Sequence, residues 1–194
     1  MNSDDAPIDL GDDWPGLVRL WEVVDAPKNC KVEIVAGHVT VAPPVDTRHH
    51  LIAGEVQRSL YEVIPEDWGV YQTQAVAVPS LLGMYVPDLL VAPGAVLRGP
   101  GFSFPAPEAE LVVEITSRNN ANHDRIVKLQ AYATAAVPLY LLVDRRHSGR
   151  PTATLYGEPE NGLYRVLDAV EFGRELRLPA PFGLTIDTGT FPLG

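Results

Sequence analysis

Cysteine is almost missing from this chain: Cys30 is the only one among 194 residues, so no intramolecular disulfide can form. No apolar run approaches the roughly 20 residues needed to cross a bilayer. The first thirteen residues hold Asp4, Asp5, Asp9, Asp12 and Asp13 with neither a basic n-region nor an apolar h-region, which excludes a secretory signal of ordinary design. Together these absences predict a protein of the reducing cytoplasm with no membrane partner. Cations are scarce as well, 15 Lys and Arg against 25 Asp and Glu for a formal net charge of −10. Phosphate affinity comes from clustered Lys and Arg, so the chain does not grip a polyanion over its whole surface and any nucleic-acid contact must be local. Internal repeats, low-complexity tracts, zinc-finger spacing and a helix-turn-helix signature are also lacking, which leaves no base-reading element to name.

What is present suffices for one full core, since 46% of the residues are hydrophobic. The pattern predicts an acidic, flexible tail over 1–15 and one domain over 16–194. Lys31 to Ala36 and His38 to Ala42 are β-rich runs around Gly37, an N-terminal hairpin. Asp46 or Thr47 can cap a helix in which Ile52, Val56, Leu60 and Val63 recur at helical spacing. Val70 to Val78 alternates as a strand. Val86 to Val91 and Glu110 to Thr116 are compact apolar runs that suit strands buried on both faces. Between them Pro93 to Pro107 is crowded with Gly and Pro and is expected as a surface loop able to cover a substrate. Asn122 to Ala136 returns to helical spacing, with Ile126, Leu129, Ala133 and Ala136 as its apolar stripe. Leu139 to Val143 is another buried-type strand, and short β segments fill the C-terminal remainder. The expected fold class is α/β: a central mixed sheet flanked by helices.

Two carboxylates stand inside the apolar runs, Asp88 and Glu114. A carboxylate in a buried strand needs a salt bridge, hydrogen bonds or a metal, because an unpaired charge there would protonate instead. Mg²⁺ prefers oxygen ligands and keeps several waters, so two carboxylates would suffice to hold it; pattern alone leaves salt bridge and metal both open. If the pair lies close together without metal, mutual repulsion is relieved by neutralising either one, and Asp88→Asn or Glu114→Gln is expected to spare or raise thermal stability. Asp124, Lys128 and Tyr132 recur every four residues on one helix face. Lys128 either reaches back over the sheet to the carboxylates or pairs with Asp124 on a solvated face.

Pro87-Asp88, then Val113-Glu114-Ile115-Thr116-Ser117, then Asp124, Lys128, Tyr132 and Val137-Pro138, closing on Leu142-Val143-Asp144, form an ordered set of motifs. Together with Glu33-Ile34-Val35-Ala36-Gly37 and the helix opening at His49, it resembles the Uma-two family of restriction-endonuclease-like proteins, a branch of the PD-(D/E)xK nuclease superfamily. The resemblance runs from about Val32 to Asp144. It implies a restriction-endonuclease-like core and a metal-dependent endonuclease acting on DNA. Asp88 and Glu114 would be the Mg²⁺ ligands, with Mn²⁺ as a substitute, and Lys128 the catalytic lysine in place of the residue two beyond Glu114, which here is Thr116. Glu33 and His49 match accessory positions of the family. Arg118 and Arg125 are placed for local phosphate contacts, DNA binding is expected to be weak, and a homodimer would serve two-strand cutting. Arg118-Asn119-Asn120-Ala121-Asn122 replaces the family's usual turn, and Leu141 stands where a tryptophan is common. The rival expectation is a catalytically inactive module of the same fold, serving protein binding or assembly.

Overall fold

The computed structural model describes residues 13–118 and 120–193. The first twelve positions of the expected acidic tail lie outside the described residues, while Asp13 to Pro15 open a helix, α1 (Trp14–Val23), that no sequence pattern singled out. Asp13 caps it by accepting from the Gly16 amide at 2.9 Å, and Pro15 sits in the first turn, where its missing amide is no loss. The hairpin follows as expected, β1 (Lys31–Val35) pairing antiparallel with β2 (His38–Ala42), and Gly37 takes φ +79° in its turn. Asp46, not Thr47, caps α2 (Thr47–Tyr61), whose Ile52, Val56 and Leu60 are fully buried.

The expected single strand Val70 to Val78 is two strands in two sheets, β3 (Trp68–Gln72) and β4 (Ala75–Val78). The chain turns at Thr73, held at φ +53°, so alternation that looks continuous in sequence is split in space. β5 (Gly83–Tyr85) precedes β6 (Leu89–Pro93), which starts later than the apolar run suggested and leaves Asp88 just ahead of its first residue. The Gly/Pro-rich segment holds two short 3₁₀ turns and β7 (Ser103–Pro105), a three-residue strand parallel to β4. The expected buried strand is β8 (Leu111–Ile115). A π-helical stretch, His123–Lys128, leads into α3 (Leu129–Thr134), and β9 (Leu139–Asp144) returns parallel to β8. The long hairpin β10 (Thr152–Glu160) and β11 (Leu163–Glu171) and the small pair β12 (Glu175–Arg177) and β13 (Thr185–Asp187) complete the chain.

Six strands form the central sheet in the order β11-β10-β9-β8-β6-β3, mixed because β8 and β9 run parallel; five form a second sheet, β2-β1-β5-β4-β7. Successive side chains on β8 point to opposite faces. Leu111, Val113 and Ile115 therefore pack with Ile52 and Val56 of α2, while Val112 packs with Ala131 and Tyr132 of α3 and with Val76 and Tyr85 of the second sheet. Glu114 shares the face of Val112. Along the same face runs a tyrosine ladder, Tyr132, Tyr140 and Tyr164, with ring centroids 5.6 to 6.2 Å apart. Two of its hydroxyls donate to backbone carbonyls, Tyr140 to Asp124 at 2.9 Å and Tyr164 to Val137 at 2.7 Å, fastening the π-helical stretch and the end of α3 to the sheet.

The apolar stripe expected for that helix is only half borne out. Ala133 is buried and Leu129 packs against the core, but Ile126 is 62% exposed and Ala136 is exposed at φ +56°, while Asp124, Lys128, Ala131 and Tyr132 turn inward. The wide π turn re-phases the start of the helix, so a period of 3.6 puts Ile126 on the wrong side.

Asp46 does two jobs at the head of α2: it caps the His49 amide at 3.0 Å and takes both guanidinium nitrogens of Arg145, whose side chain is almost completely buried. Asp46→Ala is expected to lower stability by about 2 kcal/mol or more in denaturant titrations, roughly 1 from the cap and the rest from a buried cation left unpaired. Asp46→Asn keeps a capping oxygen and should fall between the parent and the alanine variant.

Candidate active site

Four elements deliver charged side chains into one buried volume. Lys31 and Glu33 sit two apart on β1 and so share a face; Glu33 is buried and accepts from the Val86 amide at 2.7 Å. Asp88 is held beside β8 rather than within a strand, its amide donating to Val113 and its Oδ2 accepting from the Ile115 amide at 2.7 Å. Glu114 rises from β8, and the π-helical stretch brings Asp124 and Lys128 over it. His49 reaches in from the first turn of α2.

The ammonium of Lys128 is the hub. Its Nζ lies 2.8 Å from Glu33 Oε1, 2.9 Å from Glu114 Oε1 and 3.6 Å from Asp124 Oδ1, with the side chain 1% exposed. Tyr132 donates to the same Glu114 oxygen at 3.3 Å. Asp88 has a separate set of partners: Lys31 Nζ and, at 2.9 Å, His49 Nε2, both on Oδ1. Lys31 also donates to the Val86 carbonyl at 3.0 Å.

These contacts set the charge states. Burial disfavours every ionised form here. For Lys128 it pulls the pKa down, but Glu114, Glu33 and Asp124 outweigh it and hold the ammonium charged well above its ordinary range. For Asp88 burial is likewise outweighed, by Lys31 and by the hydrogen bond and charge of His49, and the carboxyl stays ionised below the usual carboxylate range. Glu114 goes the other way: burial pushes it well up, Lys128 opposes, and the charges of Asp124 and Asp88 add to the rise. Asp124 is pushed up to about 6 by burial, against Lys128 and with help from Asp88 and Glu33.

The structure thus brings Lys128, Glu114 and Glu33 into direct contact and gathers His49 onto Asp88. The solvated-face reading of Lys128 is excluded by its burial. Repulsion between Asp88 and Glu114 does raise Glu114, but Asp88 itself is paired three ways, so Asp88→Asn is now expected to lower the thermal midpoint rather than spare or raise it. Arg118 is exposed on the turn after β8. Arg125 is committed: its Nε and Nη2 bind the two oxygens of Asp144 at 2.7 and 2.8 Å, and its Nη1 binds Asn122. Thr116 is fully buried and donates to Asp144 at 3.0 Å, so the position that carries the lysine in the standard motif is occupied by a hydrogen bond between strand ends. Sequence reasoning missed Lys31, although its alternation with Glu33 was visible, and His123, whose Nε2 lies 3.7 Å from Glu33.

Four carboxylates, Glu33, Asp88, Glu114 and Asp124, share this volume with two ammoniums, Lys31 and Lys128, and two of the four are held back from ionising. Asp124 Oδ1 is buried without a hydrogen-bond donor. An excess of oxygen donors and negative charge suits a hard divalent cation. As the side chains stand, no three Asp, Glu, His or Cys groups among the described residues are close enough to hold one; the Lys31 ammonium occupies the oxygen of Asp88 that such an ion would need. Lys31 retains 17% side-chain exposure, so it has room to leave. The donor chemistry fits a hard cation, although Asp88 Oδ1 is shared by Lys31 and His49 and Glu114 Oε1 is held by Lys128.

The sequence model of the Uma2 (Uma-two) family, described as "Putative restriction endonuclease", matches residues 18–189. The chain belongs to the Uma2 family. That span takes in every charged residue of the cluster. The fold agrees with a crystal structure, refined at 1.96 Å, of a "putative nuclease belonging to DUF820" from Anabaena variabilis, which superposes with a TM-score of 0.67 at 14% identity, over 92% of this chain and 96% of that one. At that identity the likeness is one of fold. No curated protein sequence matches the chain.

The raised Asp124 carboxyl makes stability depend on pH in a definite direction. Its folded pKa of about 6 exceeds the unfolded value of roughly 4, so between those values the folded state holds the extra proton, and the penalty for ionising grows as pH rises through the window. Asp124→Asn removes that penalty. The variant's thermal midpoint, relative to the parent's, is expected to be higher at neutral pH than near pH 4.5, by an amount on the order of 1–3 kcal/mol in stability. A difference that is flat or falls with pH across this window would show that Asp124 is ionised throughout.

Proposed function

We propose that this Uma2 protein is a metal-dependent endonuclease that hydrolyses phosphodiester bonds of DNA at the cluster around Asp88, Glu114 and Lys128. The observation that carries the reading is the buried Lys128 ammonium held by Glu114 and Glu33 across three separate elements. Such a group is costly to desolvate, and its place beside the carboxylates reproduces the acid-plus-amine pairing of the PD-(D/E)xK motif with the lysine moved from the strand to the helix.

Asp88 and Glu114 would hold the cation, Mg²⁺ or Mn²⁺, with Asp124 or Glu33 as a further oxygen donor. Bound there, the ion supplies Lewis-acid withdrawal of charge from a phosphate. The chain's own groups do the rest. Lys128 presents a fixed positive charge where negative charge develops on the phosphoryl oxygens, and because it is already positioned it needs no reorganisation during the reaction. His49 and the Ile115 amide orient the Asp88 carboxylate. Tyr132 donates to Glu114 and helps fix its carboxyl. Surrounding burial keeps bulk water from screening these charges.

The inactive-module reading has one observation in its favour, the closure of Asp88 by Lys31, His49 and a backbone amide. The two readings part in a single set of measurements. In Mg²⁺ or Mn²⁺ the parent should nick plasmid DNA and stop when the metal is chelated; Asp88→Asn and Glu114→Gln should lose both cleavage and calorimetric metal binding. Lys128→Met should lose cleavage by at least about a hundredfold, in line with removal of a transition-state donor, yet bind metal no more weakly, since it removes a competing cation. A parent that neither binds the ions nor cuts any DNA in them establishes the module.

A further inference from the structure

A groove of about 920 Å³ opens beside the cluster, between α1, the start of β1, the segment ahead of α2, and the Gly/Pro-rich loop. Its walls are mostly apolar and ring-bearing: Trp21, Pro43, Pro44, Val86, His50 and Phe102 line it. Among the described residues charge is sparse there, with Lys31 and Glu22 as the only Lys, Arg, Asp or Glu on its walls. At its inner end stands Lys31, whose ammonium bridges Asp88 and the Val86 carbonyl.

Phe102 is the feature that needs a reason. The residue is 71% exposed, while its backbone carbonyl accepts from the Gln74 side chain at 3.1 Å. Trp21 across the groove is likewise pinned, its indole N–H donating to Val32 at 2.7 Å. The open Phe102 side chain and, across from it, the half-buried Trp21 offer a stacking surface at the mouth of the groove. A phosphate track would need cations the groove lacks, whereas a nucleobase needs flat apolar faces and little charge.

We infer that this groove takes an unpaired nucleobase, stacked on Phe102, of a single DNA strand whose adjoining phosphate lies at Lys31 and Asp88. The inference rests on the nuclease reading and narrows its substrate to single-stranded or locally unpaired DNA. A duplex keeps its bases stacked in the helix, and drawing one out costs a few kcal/mol, which this acidic protein has few phosphate contacts to offset. A single strand also removes the need for two-fold symmetry that cutting a duplex imposes.

The test uses the full chain and fluorescence anisotropy in Ca²⁺, with a short labelled oligothymidylate and a duplex of equal length at one ionic strength. The parent should bind the single strand more tightly than the duplex. Phe102→Ala should weaken single-strand binding by roughly tenfold to a hundredfold, the worth of one stacked base, with an unchanged thermal midpoint because the ring is exposed. Phe102→Trp should restore it. Equal or tighter duplex binding, no single-strand binding, or an alanine variant that binds as the parent does each overturn the inference. Cleavage in Mg²⁺ or Mn²⁺ separates the two claims. Phe102-dependent binding without any cleavage upholds the groove and overturns the nuclease reading; duplex cleavage that Phe102→Ala leaves untouched does the reverse.

Discussion

A single buried ammonium organises this protein. Lys128 sits in contact with Glu33 from the edge hairpin and Glu114 from the central sheet, with Asp124 one helical turn away. An ion so far from solvent is tolerated only if its partners are close and well directed, so the position of one amine constrains how β1, β8 and the π-helical stretch approach one another. The wide turn of that stretch is part of the same constraint. It swings Asp124 and Lys128 inward together, and the Tyr140 hydroxyl takes the Asp124 carbonyl to hold it in place.

The two faces of the central sheet have been given different work. Toward α2 the packing is apolar and mainly aliphatic, Ile52, Val56 and Leu60 against Val91, Val113 and Leu141 with Phe182 and Phe191 at its margin, which supplies hydrophobic stabilisation with few polar obligations. Toward α3 the packing is a tyrosine ladder leading to the acidic cluster. Tyrosines suit that face because each ring buries apolar surface while its hydroxyl satisfies a backbone carbonyl or a carboxylate. The stable face thereby supports a face on which charges of like sign are forced together.

The net charge and the local charge point in compatible directions. A formal charge of −10 opposes a duplex, and several cations near the site are spoken for, Lys31 by Asp88, Arg125 by Asp144 and Arg145 by Asp46, while Arg118 stays exposed. What the described residues offer next to the cluster is a groove with aromatic walls and little charge. Lys31 connects it to the cluster, lining the groove while pairing with Asp88.

Much of this was legible in the residues alone. The opening hairpin, α2, β8 and β9 follow from patterns that neighbouring residues in the chain determine, and a carboxylate inside an apolar strand announces that something must pair with it. The motif order around Asp88, Glu114 and Lys128 indicated the family. Other features were settled by contacts between distant segments. Thr73 at positive φ sends β3 and β4 into different sheets, and the π turn hides Lys128 while exposing Ile126; both depend on what the rest of the fold packs against them. Lys31, 57 residues from Asp88, becomes its counter-ion only when β1 lies beside the segment that precedes β6. The sequence by itself determined that Asp88 and Glu114, set in apolar runs, had to find partners, because hydrophobic periodicity is local; which other charges joined them and which cation each carboxylate met was decided by the tertiary structure, because electrostatic partners are chosen by distance in space and not along the chain.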